Sequence, residues 1–285
     1  MTGEDVRALA PAAFGALDAV AANVDGAADP RFVALARSHI GGLLGLGAPE
    51  QPVAGLSAAE QACVEMAEQF VLDVGSTTTA QRVALNDALG PAAFAYVQVL
   101  YAVDYGIRVH AAIRQLFDVD VNHEAGKDDS LWSALEEWMR QVARMDALDP
   151  LTTELVRLRG ARTHDCRLCK SRRHIVAVEG GADETVFARI DHYETSTLDE
   201  RHKVALRMTD AIIWQPTAHP PELRDQVRSN LSPREGLELV FDVARNATNK
   251  IAVALGADEP HVTEGVEYFD TDQDGALILG MTPGR

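Results

Sequence analysis

Cysteine is scarce: the 285-residue chain has three, Cys63, Cys166 and Cys169. Three thiols cannot build the multi-bridge framework of a secreted disulfide scaffold. A lone Cys-x-x-Cys points instead to redox or metal chemistry. Positive charge is in deficit, with 26 Lys and Arg against 43 Asp and Glu, a formal net charge of −17. A field of that sign repels phosphates, so neither nucleic acid nor an anionic membrane surface is an expected partner. No apolar run reaches the roughly 18 residues of a membrane helix. The acidic start, Met-Thr-Gly-Glu-Asp, lacks the basic region of a signal peptide, so a cytoplasmic protein is expected. Aromatic residues are few, at 6%. What is abundant is apolar: 47% hydrophobic residues beside 24% charged ones, enough for a core in a soluble chain. The length favours two domains or one duplicated domain.

Ala and Leu dominate, and apolar stripes recur at spacings of three and four. Leu151, Leu155, Val156 and Leu158 form one stripe; Val204, Leu206, Met208, Ile212 and Ile213 belong to another. That periodicity predicts helices. Ser57-Ala-Ala-Glu60 has the form of a capping box, and Ser232-Pro-Arg-Glu235 adds proline at the first helical position. Gly90-Pro91 opens another helix. No alternating strand pattern is evident before the tail. Polar residues Asp118 to Ser130 read as a linker, and a polar acidic tail follows Gly256. The expected organisation is a first helical unit over 1–125, a second over 126–262 and a tail over 263–285.

The two halves match at a shift of 142 residues. Leu56 falls on Leu198, Met66 on Met208, Arg82 on Arg224, Leu89 on Leu231, Pro91 on Pro233 and Ala102 on Ala244. Helix starts and apolar positions coincide over about sixty residues, which predicts a tandem repeat. At that shift Cys166 and Cys169 fall on Val24 and Ala27, so only the second half carries the thiol pair.

Cys166-Arg-Leu-Cys169 follows a Thr163-His164-Asp165 break. Cysteines in this spacing at a helix start come within reach of one disulfide, and the helix N-terminus with nearby cations favours the nucleophilic thiolate. Residues 157–174 hold seven Lys or Arg and one acid, Asp165, a local +6 against −23 for the rest of the chain. Such an island should depress the thiol pKa values unless the cations are spent on ion pairs.

Glu154, the cysteine pair twelve residues later, and a following helix that ends at Gly180-Gly181 resemble the core motif of the AhpD-like/carboxymuconolactone decarboxylase superfamily. The stretch from Leu198 to Gly256, with Asp210, Ser232-Pro-Arg-Glu235, Asn246 and Asn249-Lys250, resembles the rest of that domain. The resemblance spans about 145–258, and the first half looks like a degenerate copy. It implies an all-α tandem fold, a homo-oligomer, no metal or cofactor, and reduction of a small-molecule hydroperoxide or disulfide at the expense of a thiol reductant. It also implies roles. Cys169 would be the more buried, attacking thiol, Cys166 the exposed resolving thiol, and Glu154 the acid of a proton relay. The relay histidine expected four residues after the second cysteine is replaced by Arg173. His174 stands one place later, about 100° around a helix. An ion pair between Glu154 and Arg173 is therefore expected. With no proton shuttle, fast disulfide exchange and slow peroxide reduction follow.

Other readings remain open. His164, Cys166, Cys169 and His174 could supply a zinc site, though eleven residues at one helix start make a tetrahedron difficult. Asp270-Thr-Asp272-Gln-Asp274-Gly275 starts like a calcium loop, but Met281 stands where the bidentate glutamate belongs; an acidic turn before a short apolar strand is the plainer reading. A non-catalytic helical oligomer and a lactone decarboxylase-like enzyme are further alternatives. Cys63 reads as core, and Asn246 and Asn249 as packing residues.

Overall fold

The computed structural model describes residues 1–45 and 55–284. The first half consists of α1 (Gly3–Arg7), α2 (Pro11–Asn23), α3 (Pro30–Leu43), α4 (Ala58–Asp73), α5 (Thr79–Leu89) and the long α6 (Ala93–Phe117). The second opens with α7 (Leu131–Ala143) and α8 (Pro150–Thr163), followed by the short α9 (Arg167–Lys170), α10 (Ile175–Glu179) and α11 (Glu184–Ala188). It closes with α12 (Glu200–Trp214), α13 (Pro221–Asn230), α14 (Pro233–Asn246) and α15 (Asn249–Leu255). The helix starts have identifiable chemical causes. Ser57 and Glu60 form a reciprocal capping box, as do Ser232 and Glu235. Asp29 and Asp149 each cap a helix that begins on proline, where the missing N–H costs nothing.

The protein is mostly helical, but not purely so. Strands β1 (Arg172–His174), β2 (Glu267–Thr271) and β3 (Leu277–Met281) form a small sheet in the order β1-β2-β3. The first pair is parallel, with Arg173 opposite Tyr268, and the second antiparallel. The expectation of a continuous helix from the cysteines to Gly180 is corrected here. Helix α9 is four residues long; β1 then intervenes before α10. The Arg157 side chain takes the Cys169 and Arg172 carbonyls, removing two acceptors that a continuing helix would use. Beyond β2, Asp272 accepts from Asp274 N and Ala276 N at 2.9 and 2.8 Å, which makes the acidic segment a turn. Gly275 there has φ +76, and a Cβ would lie 2.3 Å from the Arg140 carbonyl, so only glycine lets the turn rest on the end of α7.

One apolar cluster runs from Val6 to Ala254 and joins both halves; a smaller one gathers Leu155, Leu158, Phe187, Ile190, Leu198 and Leu206. Helix α2 packs on α7, and α6 on α14. Residues Thr79–Phe117 are long and apolar enough to cross a membrane by length and composition alone. In the fold this apolarity serves the core: Tyr96, Val97, Val99 and Leu100 of α6 are fully buried. The same helix carries a buried charge cluster at the junction of the halves. Asp104 accepts from Arg108 Nε at 2.6 Å and from Lys250 Nζ at 2.7 Å. Arg108 also donates to the carbonyls of Ile212 and Ile213. Burial brings Lys250 down to about 8, against the opposing pull of Asp104.

The spacing of the helices repeats. Helices α2 and α3, of 13 and 14 residues, recur in the same lengths as α7 and α8 at an offset of 120 (Pro11 against Leu131, Pro30 against Pro150). From α4 and α5 to α12 and α13 the offset is 142 (Ala58 against Glu200, Thr79 against Pro221).

Helix α14 buries two acids one turn apart. Burial pushes Asp242 up to about 7, reinforced by Glu238 and opposed by Arg245. A folded-state value above the ordinary ~3.9 means that the native chain holds the proton more tightly than the unfolded one. Its stabilising contribution is complete below about 4 and is lost as pH rises towards about 7. Asp242→Asn should therefore raise unfolding stability at pH 8 by about 1–3 kcal/mol, with a smaller gain at pH 4. Urea unfolding at the two pH values checks this; an equal effect at both would contradict it.

Candidate thiol site

The thiol turn is made by three local devices. Asp165, with φ +52, ends α8 in the left-handed region and reverses the chain. Cys166 then acts as the cap of α9, its Sγ accepting from Cys169 N at 3.2 Å. Asp258 holds the same helix start from the far side. Its carboxylate accepts Arg167 N at 2.9 Å and its carbonyl accepts Leu168 N at 2.9 Å. The two sulfurs come to 2.7 Å, both as free thiols, with Cys166 donating to Cys169. The predicted placement at one helix start, close enough to bridge, is found.

The two thiols are unequal. The Cys166 hydrogen bond, Arg157, Asn249 and Arg172 together outweigh burial and bring Cys169 down to about 7. Cys166 is pushed well up, first by sharing its proton with Cys169 and then by burial. The expected exposures are reversed. Cys166 is 1% exposed, while Cys169 is only partly buried and lines a pocket of about 420 Å³. The cause is the cap itself, which turns the Cys166 sulfur inward under the first turn of α9. Cys169 is the thiol of lowered pKa and the one that opens on the pocket, and the expected exposed Cys166 is not found.

Glu154 is fully buried, but its partner is Arg157, not Arg173. Arg157 makes a bidentate pair with Glu154, at 2.7 Å for each bond, and donates to the carbonyls of Cys169 and Arg172 at 2.9 and 2.6 Å. Its guanidinium also lies 5.1 Å from the Phe269 ring centre. The second role of Glu154 is to accept His174 N at 3.2 Å. Arg173 turns the other way and makes a bidentate pair with Glu184 at 2.7 and 2.9 Å. The break after α9 explains this, because alternate residues of β1 point to opposite faces. His174 Nε2 faces Asp270 at 3.3 Å. His164 bonds Asn249 through Nδ1 at 3.0 Å and Tyr105 through Nε2 at 3.3 Å. The two histidines are thus engaged elsewhere, and the four-ligand zinc set is not brought together. Cys63 is fully buried in the core, and burial pushes its thiol up to about 12.

The basic island is locally neutralised. Arg157, Arg159, Arg162, Arg167, Lys170, Arg172 and Arg173 pair respectively with Glu154, Asp210, Asp191, Asp258, Asp165, Glu267 and Glu184. Of these cations, Arg157 and Arg172 still act on Cys169.

Two curated proteins are similar to the chain: the uncharacterized proteins Rv2313c and MT2376 of Mycobacterium tuberculosis, strains ATCC 25618 / H37Rv and CDC 1551 / Oshkosh. Each is 40% identical over 244 residues, covering 81% of this chain and 83% of the relative. The chain belongs to their family. No family model and no solved structure matches it.

Sequence reading missed four pocket residues. Arg157 had been counted only as one cation of the island. Asn249 and Asn246, taken as packing residues, line the pocket, and the amide nitrogens of both are buried without a hydrogen-bond partner. Phe269 comes from the tail, ninety-five residues beyond His174. Only the Glu154–Arg157 spacing of three could have been seen, as a helical ion pair.

Removing one member of a buried bidentate pair strands the other charge. Arg157→Met should cost about 3–5 kcal/mol in urea unfolding. The double substitution Glu154→Gln with Arg157→Met should recover at least half of it. Additive losses would show that the pair is not the unit described.

Proposed function

We propose that the chain is a thiol–disulfide oxidoreductase of AhpD-like type, with Cys166 and Cys169 as the redox pair of the second of two helical repeats. The observation that carries the reading is the asymmetric dithiol. The sulfurs lie 2.7 Å apart, one shielded and the other opening on a pocket. The Cys169 thiolate attacks one sulfur of a substrate disulfide, forming a mixed disulfide and releasing the first substrate thiolate. Cys166 then attacks Cys169 Sγ, and its proton goes to the second departing thiolate. The substrate gains two electrons and the protein is left with a Cys166–Cys169 disulfide. A cytoplasmic dithiol donor would return it to the reduced form.

Hydroperoxide reduction at the same thiolate would give a Cys169 sulfenic acid and an alkoxide that needs a proton. Glu154 is held by Arg157 and Arg173 by Glu184. The Asn246 and Asn249 amides can hydrogen-bond the leaving oxygen but cannot protonate it. Disulfide exchange is therefore the faster activity. The repeated helix offsets support the tandem reading. The offset grows from 120 to 142, and the thiol turn lies in the 22 residues gained. Packing of α2 on α7 and α6 on α14 within one chain supports a homo-oligomer of fewer chains than single-repeat relatives form. A second reading, a scaffold without catalysis, is favoured by the complete pairing of the basic island.

Mass spectrometry separates the two readings. With a small aromatic disulfide, Cys166→Ser should trap a mixed disulfide on Cys169, whereas the natural chain should form the internal disulfide. Peroxide consumption with dithiothreitol should be at least about a hundredfold slower than exchange, the contribution of a missing general acid. Arg173→His should leave peroxide turnover unchanged. A chain whose cysteines exchange no faster than free cysteine would favour the scaffold.

A further inference from the structure

A second cavity lies apart from the thiol pocket and has more than twice its volume. It lies between the halves, lined by α2, α3 and α6 of the first and by Met208, His219 and Arg224 of the second, and has a volume of about 1050 Å³, at the upper end of the ~300–1,000 Å³ of small-molecule sites. The helix offsets relate the two. Arg37 of α3 lines this cavity where Arg157 of α8 lines the thiol pocket, 120 residues on. Val103, Gly106 and Ile107 of α6 stand 142 residues before Arg245, Thr248 and Asn249, which line the thiol pocket. The second half carries 22 more residues between its corresponding helices, and the thiol turn lies among them. Val103 and Ile107 stand where the thiol pocket has Arg245 and Asn249, and Gly106 where it has Thr248.

The wall and the mouth differ in chemistry. Leu17, Val20, Val24 and Val103 form an apolar interior. Gly106 contributes an open stretch of wall in the middle of α6, where an added Cβ would meet nothing within 4 Å. Glycine in a helix interior is otherwise unfavourable. Arg37, Arg114 and Arg224 line the mouth of the cavity and are exposed. Their acidic partners Asp25, Asp120 and Asp225 are themselves largely exposed, so those pairs are weak. Asp118 and Asp120 also line the cavity, so the three arginines leave it positive by one charge in a chain of net charge −17, which suits a single anionic group. Inside, His219 Nε2 is buried without a hydrogen-bond partner, and burial lowers this imidazole to about 4. It is a neutral ring with one unused polar atom.

We propose that this cavity binds a medium-chain carboxylate, with the chain against the aliphatic wall and the carboxylate at the arginine-bearing mouth. The site is separate from the thiols and does not depend on their chemistry. Two cation-bearing pockets of related position thus serve different ends, one reactive and one for binding.

Calorimetric titration of the full chain with decanoate, and with decanol as the uncharged comparison, tests the assignment. Decanoate should bind at least about tenfold more tightly than decanol, as charge-assisted bonds require. Gly106→Leu, which fills open space and suits the helix, should abolish binding without lowering thermal stability. Arg114→Ala with Arg224→Ala should reduce decanoate affinity at least about tenfold and leave decanol unchanged. Cys169→Ser should bind decanoate as the natural chain does. No decanoate binding, equal affinity for decanol, binding that survives Gly106→Leu, or loss of binding in Cys169→Ser would each overturn it.

Discussion

The Arg157 guanidinium is the fixed point from which the thiol site is built. It spends four hydrogen bonds on three elements: two on Glu154 of its own helix, one on the carbonyl of Cys169 and one on the carbonyl of Arg172. A planar five-donor fork can do this, whereas a lysine ammonium could not hold the same geometry. The consequences follow in order. The cysteine turn is tied to α8. Helix α9 stops after four residues, with the Cys169 carbonyl and the Arg172 carbonyl just beyond it turned to Arg157. The chain leaves as β1, and the tail can pair with it. Glu154 completes the arrangement by accepting His174 N, so the same ion pair also positions the last residue of the strand.

Electrostatics follows geometry. The positive island is neutral in aggregate, since every cation in it has an acid. What remains for the thiols is directional: a guanidinium beside Cys169, an unpartnered asparagine amide near it, and the hydrogen bond from Cys166. These favour one thiolate rather than two. A pair in which one sulfur attacks and the other waits protonated is suited to exchange by way of a mixed disulfide. Proton delivery is the weak element, because Glu154 and Arg173 are held in ion pairs, His174 faces Asp270, and His164 is bonded to Asn249 and Tyr105.

Much of the frame was legible in the sequence. The capping boxes at Ser57 and Ser232 and the closeness of Cys166 and Cys169 are local, dictated by residues three apart. The tail strand was visible as a short apolar run after an acidic turn. What could not be read depends on distant partners. Strand β1 is three residues long and exists because β2 lies beside it almost a hundred residues later. Arg173 looked like a helix residue facing Glu154; one break in the helix sent it to Glu184. The inversion of thiol exposure arose because a capping sulfur must point back into the helix start, which spacing alone does not reveal. Asn249 resembled a packing residue because its role lies in a tertiary contact with the thiol turn.

The central claim is that the thiol turn makes Cys169 the more acidic thiol, through the Cys166 hydrogen bond first and the Arg157 guanidinium beside it. The most direct measurement is the pH dependence of alkylation, with the modified cysteine located by mass spectrometry. It should be made on the natural chain and on Glu154→Gln with Arg157→Met, which removes the cation without stranding its carboxylate. The account predicts a midpoint of about 7 at Cys169 in the natural chain, moving upward in the variant towards the ordinary thiol value of ~8.5. An unchanged midpoint in a folded variant, or a natural chain whose more acidic thiol is Cys166, would contradict it.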